Sequence, residues 1–352
     1  MSSSVRLDGL LGDPYMAGQF SDEAELTGML AFEAALAAAQ AQVGLIPVEA
    51  SLAITVACAS YLVHPSELAA GMARDGLVVP ALVASLRRSL AEPHRQWLHL
   101  GATSQDLIDT SLTLRLKPVT EELDRRLLVV IEALGRLKTA YGALPFMAQT
   151  RMQQALPMMI ADRIEAWLRP IERHRERLTE ISPRLLVVQF GGPIGVRGGL
   201  DGKGDAVAAG LAARLGLGNA PSWHSARDRI AEFAGWLSMV TGALGKIGQD
   251  VALMAQNEAG TAQIAGGGTS SAMAHKNNPV AAELLVTLAR FNAGMLGTLH
   301  QCLVHENERS GAAWALEWMV LPQMAIATGA SLRHARALLT GLQFVATKAG
   351  SR

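Results

Sequence analysis

The 352-residue sequence predicts an all-α protein built on a bundle of long helices, and three observations carry that expectation. Strand signals are nearly absent: there are only three tyrosines and no alternating runs of β-branched residues. Apolar residues recur at spacings of three and four along most of the chain. Two stretches, Leu156 to Ile181 and Ala226 to about Ala262, hold no proline except Pro157, at the very start of the first, and Pro170, and keep that spacing throughout.

In order along the chain, the segment Asp22 to Val43 opens on Ser21 as N-cap and carries Leu26, Met29, Leu30, Ala34 and Ala37 on one face. It stops at Gly44 before Pro47. Shorter helices punctuated by Pro65, Pro80 and Pro93 follow, then a longer one from about Ser104 to Tyr141 with a bend expected at Pro118. The Ala226 to Ala262 stretch, if helical throughout, is roughly 50 Å long. It presents Ile230, Phe233, Leu237, Val240, Leu244, Ile247, Val251 and Met254 among alanines and glycines, a surface suited to a core completed by other subunits. Two further helices are expected around 280–307 and 313–341.

Composition excludes several classes. With 31 basic and 31 acidic residues, the chain has no global field for nucleic acid or an anionic membrane. Cys58 and Cys302 are far apart, with no zinc or disulfide spacing, and read as reduced and buried. No leader pattern opens the chain and no apolar run reaches transmembrane length, so a soluble cytoplasmic protein is expected. His300 and His305 are five residues apart, which does not align two ligands on one helix face; no metal site is expected.

Four polar clusters interrupt this apolar pattern. GGGTSSAMAHKNNP, at 266–279, lacks the glycine before Lys276 that a P-loop requires, and Met273, Lys276 and Asn278 are not linker residues. It reads as a ligand loop: Ser270 and Ser271 for proton transfer or hydrogen bonding, Lys276 as a fixed cation, Asn278 as a neutral donor. HLGATSQDLIDTS, at 99–111, sets His99, Thr103 and Ser104 where a helix begins, and backbone N–H groups there favour anions. AQTRMQQALP, at 148–157, offers Thr150, Arg151 and Gln154; WHSARDR, at 223–229, offers His224, Arg227 and Asp228. Plain capping and a solvated charged face are the competing explanations of these last two.

TSSAMAHKNN resembles the Gly-Ser-Ser-x-Met-x-x-Lys-x-Asn signature of the fumarase/aspartase superfamily, with Thr269 at the glycine position. GATSQDLIDTS and TRMQQALP are similar to its first and second regions. HLGATSQD, QFGGPIGV and PSWHSARDRIAEFA most resemble its bacterial 3-carboxy-cis,cis-muconate cycloisomerases, and next its adenylosuccinate lyases. The resemblance implies an all-helical bundle of the fumarase/aspartase type with a shortened C-terminal domain. Three parts are expected: an N-terminal helical domain over 1–102, a central long-helix bundle forming the oligomer core over 103–262, and 263–352 with the signature loop and reduced C-terminal helices. It further implies a homotetramer in which each active site takes the three regions from three subunits.

By the same resemblance Ser270, His99 and Lys276 are the catalytic candidates, with the proton donor assigned to Ser270 or His99. Thr103, Ser104, Thr150, Arg151, Gln154, Ser271, Met273, Asn278 and Arg227 are the substrate-binding candidates. The sequence departs from the family where Arg151 and Gln154 replace histidines, and where Ala274 and Asn277 replace proline and arginine. The implied activity is cofactor-free lactonisation of 3-carboxy-cis,cis-muconate, or of its 3-sulfo analogue, in the β-ketoadipate degradation of protocatechuate. A lyase releasing fumarate from an adenylosuccinate- or argininosuccinate-like adduct is the alternative within enzymes, and a catalytically silent helical oligomer the alternative outside them. Lactonisation asks less of the protein than elimination, because the nucleophile is part of the substrate.

Overall fold

The computed structural model describes residues 5–265, 267–269, 273 and 277–346. Two short helices, α1 (Val5–Leu11) and α2 (Pro14–Gln19), lead into α3 (Asp22–Gln42). Ser21 caps α3 as expected, accepting the Ala24 N–H at 3.2 Å. Four short helices follow: α4 (Val48–Ala59), α5 (Pro65–Asp75), α6 (Val79–Ser89) and α7 (Glu92–Arg95). Pro65, Pro80 and Pro93 each stand in the first turn of their helix, where the missing N–H costs nothing.

The body is made of long helices. α8 (Ser104–Tyr141) runs 38 residues through Pro118, and α9 (Ile160–Leu185) returns along it. After α10 (Gly204–Leu215) come α11 (Asp228–Met254), α12 (Val280–Gln301) and α13 (Ala312–Gly341), packed against one another in sequence. Their inward faces form one core, including Leu116, Leu123, Leu127 and Leu134 of α8, Ile164, Trp167 and Ile171 of α9, and Phe233, Leu237 and Leu244 of α11. Each such side chain stabilises the fold by about 1.5–3 kcal/mol relative to exposure. A second core gathers α3, α4, α6, the first turn of α8 and α10 around Phe32, Leu82, Phe190 and Leu211.

Three expectations are corrected. Three two-stranded antiparallel sheets are present: β1 (Pro145–Thr150) with β2 (Gln153–Met159), β3 (Ala262–Ile264) with β6 (Leu342–Phe344), and β4 (Gly268–Thr269) with β5 (Asn277–Asn278). Leu156–Met159 therefore belongs to a strand; the spacing of Leu156 and Ile160 mimics a helical repeat, but pairing of Phe146 with Met158 closes a hairpin instead.

The α11 helix is also shorter than the reach to Ala262. The N–H and Oγ1 of Thr261 both donate to the Met254 carbonyl, at 3.0 and 3.1 Å, and turn the chain toward β3. Finally, α12 stops at Gln301, so His305, Glu306 and Glu308 lie in a loop. This helix is long and apolar enough, by length and composition, to cross a membrane, with an 18-residue mean hydropathy of 1.2. One side of it packs on α11 and α13, while Phe291, Ala293, Gly294 and Gly297 stay exposed.

Candidate active site

The start of α8 is organised by one carboxylate. Asp106 is fully buried and accepts the Thr103 N–H at 3.0 Å, the Gly191 and Gly192 N–H groups at 2.8 and 2.9 Å, and the Gln189 side-chain amide at 3.2 Å. His224 Nε2 lies 2.8 Å from it as well. Three sequence motifs that lie far apart, HLGATSQD, QFGG and PSWH, are thereby held as one unit. Gly101 and Gly192 permit the close approach: both have left-handed backbones (φ 69° and 71°), and a Cβ on Gly192 would sit 2.8 Å from the Gly101 carbonyl.

Beside this hub, His99 adopts φ 63°, an uncommon conformation for a non-glycine residue. Its Nδ1 lies 2.6 Å from Glu33 Oε1. Burial works against the imidazolium, as does Arg87, but the carboxylates of Glu33 and Asp106 outweigh them and raise the His99 pKa above 6.5. Thr103 Oγ1 accepts from Arg309 Nη1 at 3.1 Å, and Arg309 Nη2 donates to the Pro193 carbonyl at 2.9 Å. Ser104 is the first residue of α8 and is half-buried. This corner thus presents an imidazole, two hydroxyls and an exposed guanidinium, a set suited to carboxylate groups.

Glu33 and Arg309 were not among the sequence candidates. Arg309 stands in the charged run HENERSG between two apolar helices, and that run was its only signal.

Arg227 is corrected from substrate ligand to structural residue. It is 2% exposed, and its guanidinium donates to Asp109 at 2.6 and 3.1 Å and to both oxygens of Glu317, one of them at 3.0 Å. Trp314 Nε1 also donates to Asp109 at 3.0 Å, and the Trp223 ring lies under the guanidinium. Four of its five N–H donors are committed to buried carboxylates, so a ligand arriving from solvent has no access to them.

The other two regions sit elsewhere. Thr150, Arg151 and Gln154 are exposed on the β1–β2 hairpin, where Thr150 pairs with Gln153 across a two-residue turn. Both turn residues are left-handed, Arg151 at φ 50° and Met152 at φ 64°. In the signature segment Asn278 pairs with Gly268 at the base of the loop, and Met273 is partly exposed. Ser270, Ser271 and Lys276 lie outside the described residues.

The regions do not meet within one chain. Thr103 precedes α8 and the hairpin follows its far end; at ~1.5 Å per residue the helix spans roughly 57 Å. A hairpin arm of six residues reaches only about 20 Å at ~3.3 Å per residue, so at least about 35 Å would remain if it folded straight back. Strand β3, which leads into the signature segment, lies toward the hairpin's end, since its partner strand β6 stacks Phe344 on Trp167 of α9. Asp250, near the end of α11, accepts from Trp167 and Arg163 at the start of α9, whereas Arg227 at the other end of α11 is paired with Asp109. Among the described residues no group of three or more His, Cys, Asp or Glu is placed to hold a metal ion.

A body of long helices with an imidazole, two hydroxyls and a guanidinium gathered at one end and a polar hairpin at the other is the architecture of a helical-bundle enzyme class. A family model described as Lyase matches residues 12–292, and the chain belongs to that family, the fumarase/aspartase superfamily. A 3-carboxy-cis,cis-muconate cycloisomerase from Pseudomonas aeruginosa is 40% identical over 335 residues, 93% of this chain and 73% of that protein. The crystal structure of a 3-carboxy-cis,cis-muconate lactonizing enzyme from Pseudomonas putida superposes with a TM-score of 0.90 at 37% identity, covering 97% of this chain and 77% of that one. An N-acetyl-S-(2-succino)cysteine lyase from Enterococcus italicus is 33% identical over 93% of this chain and 73% of its own length.

Proposed function

We propose that the protein is a cofactor-independent cycloisomerase that lactonises 3-carboxy-cis,cis-muconate, or a closely similar muconate carrying a sulfonate. The observation that carries this reading is likeness to cycloisomerases over nearly the whole chain, joined to a corner of donors matched to a polyanion. One substrate carboxylate oxygen adds to the conjugated double bond, and the electron pair moves into the neighbouring carboxylate as an aci-carboxylate. Cations and oriented donors hold that charge. Ser270 or His99 then delivers a proton to carbon, and the lactone leaves. Lys276 and Asn278 bind substrate carboxylates, with Ser271 and Met273 completing the loop. Thr103 and Ser104 bind from the first region and Thr150 and Gln154 from the second. Arg151, standing where a histidine is usual, pairs with the additional acidic group.

The site is assembled from several copies, because about 35 Å separate its parts in one chain. The exposed small residues of α12 fit a homotetramer whose core is closed by helices of its neighbours. Mixing the purified protein with 3-carboxy-cis,cis-muconate and following loss of the conjugated-diene absorbance tests the reading. Rapid loss is expected, while turnover confined to adenylosuccinate or N-acetyl-S-(2-succino)cysteine would replace cycloisomerisation with elimination.

A further inference from the structure

Helix α3 buries two polar side chains, Glu33 and Gln40, seven residues apart on one face of an otherwise apolar surface. Both are spent on the same turn. Gln40 Nε2 donates to the Leu100 carbonyl at 2.7 Å, and Glu33 Oε1 lies 2.6 Å from His99 Nδ1. Glu33 is 1% exposed, and its second oxygen has no hydrogen-bond partner. Burying a carboxylate costs several kcal/mol unless it is paired, so a Glu kept inside an alanine-rich helix needs a use that a glutamine or leucine would not serve. The turn it touches is strained as well, with His99 at φ 63° followed by Gly101 at φ 69°.

We propose that Glu33 is the positioning residue of His99: from inside α3 it fixes the imidazole by Nδ1, so that Nε2 is the N–H offered to a substrate carboxylate. The inference rests on the cycloisomerase reading for its substrate, but not for its geometry. Glu33 touches no substrate; it acts through His99. A carboxylate 2.6 Å from the ring nitrogen favours the form of His99 that carries both protons. The charged groups that act on the ring come from three elements: Glu33 of α3, Asp106 of α8 and Arg87 of α6. The first two favour the imidazolium; burial and Arg87 oppose it.

The sign follows directly. A doubly protonated His99 is present below its pKa and lost as pH rises through it, and that pKa is raised in the folded protein. Replacing Glu33 by Gln keeps the volume and one hydrogen bond but removes the charge, leaving burial to dominate. The midpoint of the alkaline limb of kcat/KM then moves toward lower pH, and kcat/KM on that limb falls while its value on the acid side of the limb is kept.

The test uses the full-length protein with histidine labelled at Cε1 with carbon-13, the His99 signal being assigned by its loss in His99→Asn. Glu33→Gln should lower the midpoint of the His99 titration, and Glu33→Asp, with charge retained one methylene further away, should fall between it and the unmodified protein. An unchanged His99 midpoint in Glu33→Gln would overturn the proposal, even if that variant melts at a lower temperature. Should Glu33→Gln not fold, Glu33→Asp decides alone: a midpoint and pH profile identical to the parent reject the positioning role. If no muconate is turned over, the functional reading fails, while the titration still decides on Glu33.

Discussion

The two ends of the long-helix body are built on opposite principles. At the end where α8 begins, Asp106 and Asp109 are each satisfied by three or more donors, and Arg227, Trp223 and Trp314 are sealed around them. At the other end the β1–β2 hairpin holds Arg151, Met152, Gln153, Gln154 and Leu156 in the open, Met152 at 72% and Leu156 at 74% exposure. The first end is finished inside one chain; the second leaves large apolar side chains uncovered. The active site proposed above to be shared between copies would need this division: one surface rigid before assembly, the other reaching across.

Breaking the rigid end should have the largest effect. Arg227→Ala leaves Asp109 and Glu317 as buried like charges with no cation between them, and removing one partner of such a set costs about 3–5 kcal/mol. Thermal unfolding should show a large fall in Tm. A change of less than a degree would mean that water reaches the carboxylates and that this end is not sealed.

Arg309 separates rigidity from recognition at the same end. Its guanidinium bridges Thr103 Oγ1 and the Pro193 carbonyl from an exposed position, so Arg309→Ala should leave Tm nearly unchanged. Loss of a charge-assisted contact to a substrate carboxylate is about 1.5–3 kcal/mol, or roughly 10- to 100-fold in kcat/KM. Steady-state kinetics at fixed ionic strength measures it. A large stability loss with unaltered kinetics would make Arg309 a brace and not a ligand.

Much of the rigid end's framework was legible in the sequence, because local rules govern helices. Ser21 and Thr103 mark helix starts, and the apolar repeat carries α8 from Ser104 to Tyr141 without interruption. What the chain does over long separations was not legible. Arg227 finds Asp109 118 residues away and Glu317 90 residues away, and a run such as ARDR does not reveal which of its charges turns inward. Glu33 escaped notice for the same reason: a single carboxylate among alanines looks like a solvated position until His99, 66 residues on, is folded against it. The hairpin was missed because Leu156 and Ile160 satisfy a helical spacing as well as a strand end. Placement of the signature serines and Lys276 rests on motif alone, since they fall outside the described residues.

The smallest effect sharpens the open end. The hairpin tip is a two-residue turn with Arg151 and Met152 both left-handed, a geometry that favours Asn-Gly and costs a side-chain-bearing residue roughly 1–2 kcal/mol. Met152→Gly removes that cost at one position and adds about 0.4–1 kcal/mol of unfolded-state entropy, so a net gain of at most about 1.6 kcal/mol is expected. Chemical denaturation measures it, with Met152→Val as the opposite case, since a β-branched residue tolerates this conformation least. If the gain in Met152→Gly comes with reduced turnover, the strained backbone is what aims Arg151 at the substrate; if turnover is kept, the hairpin's aim is set by the copy it reaches rather than by its own turn.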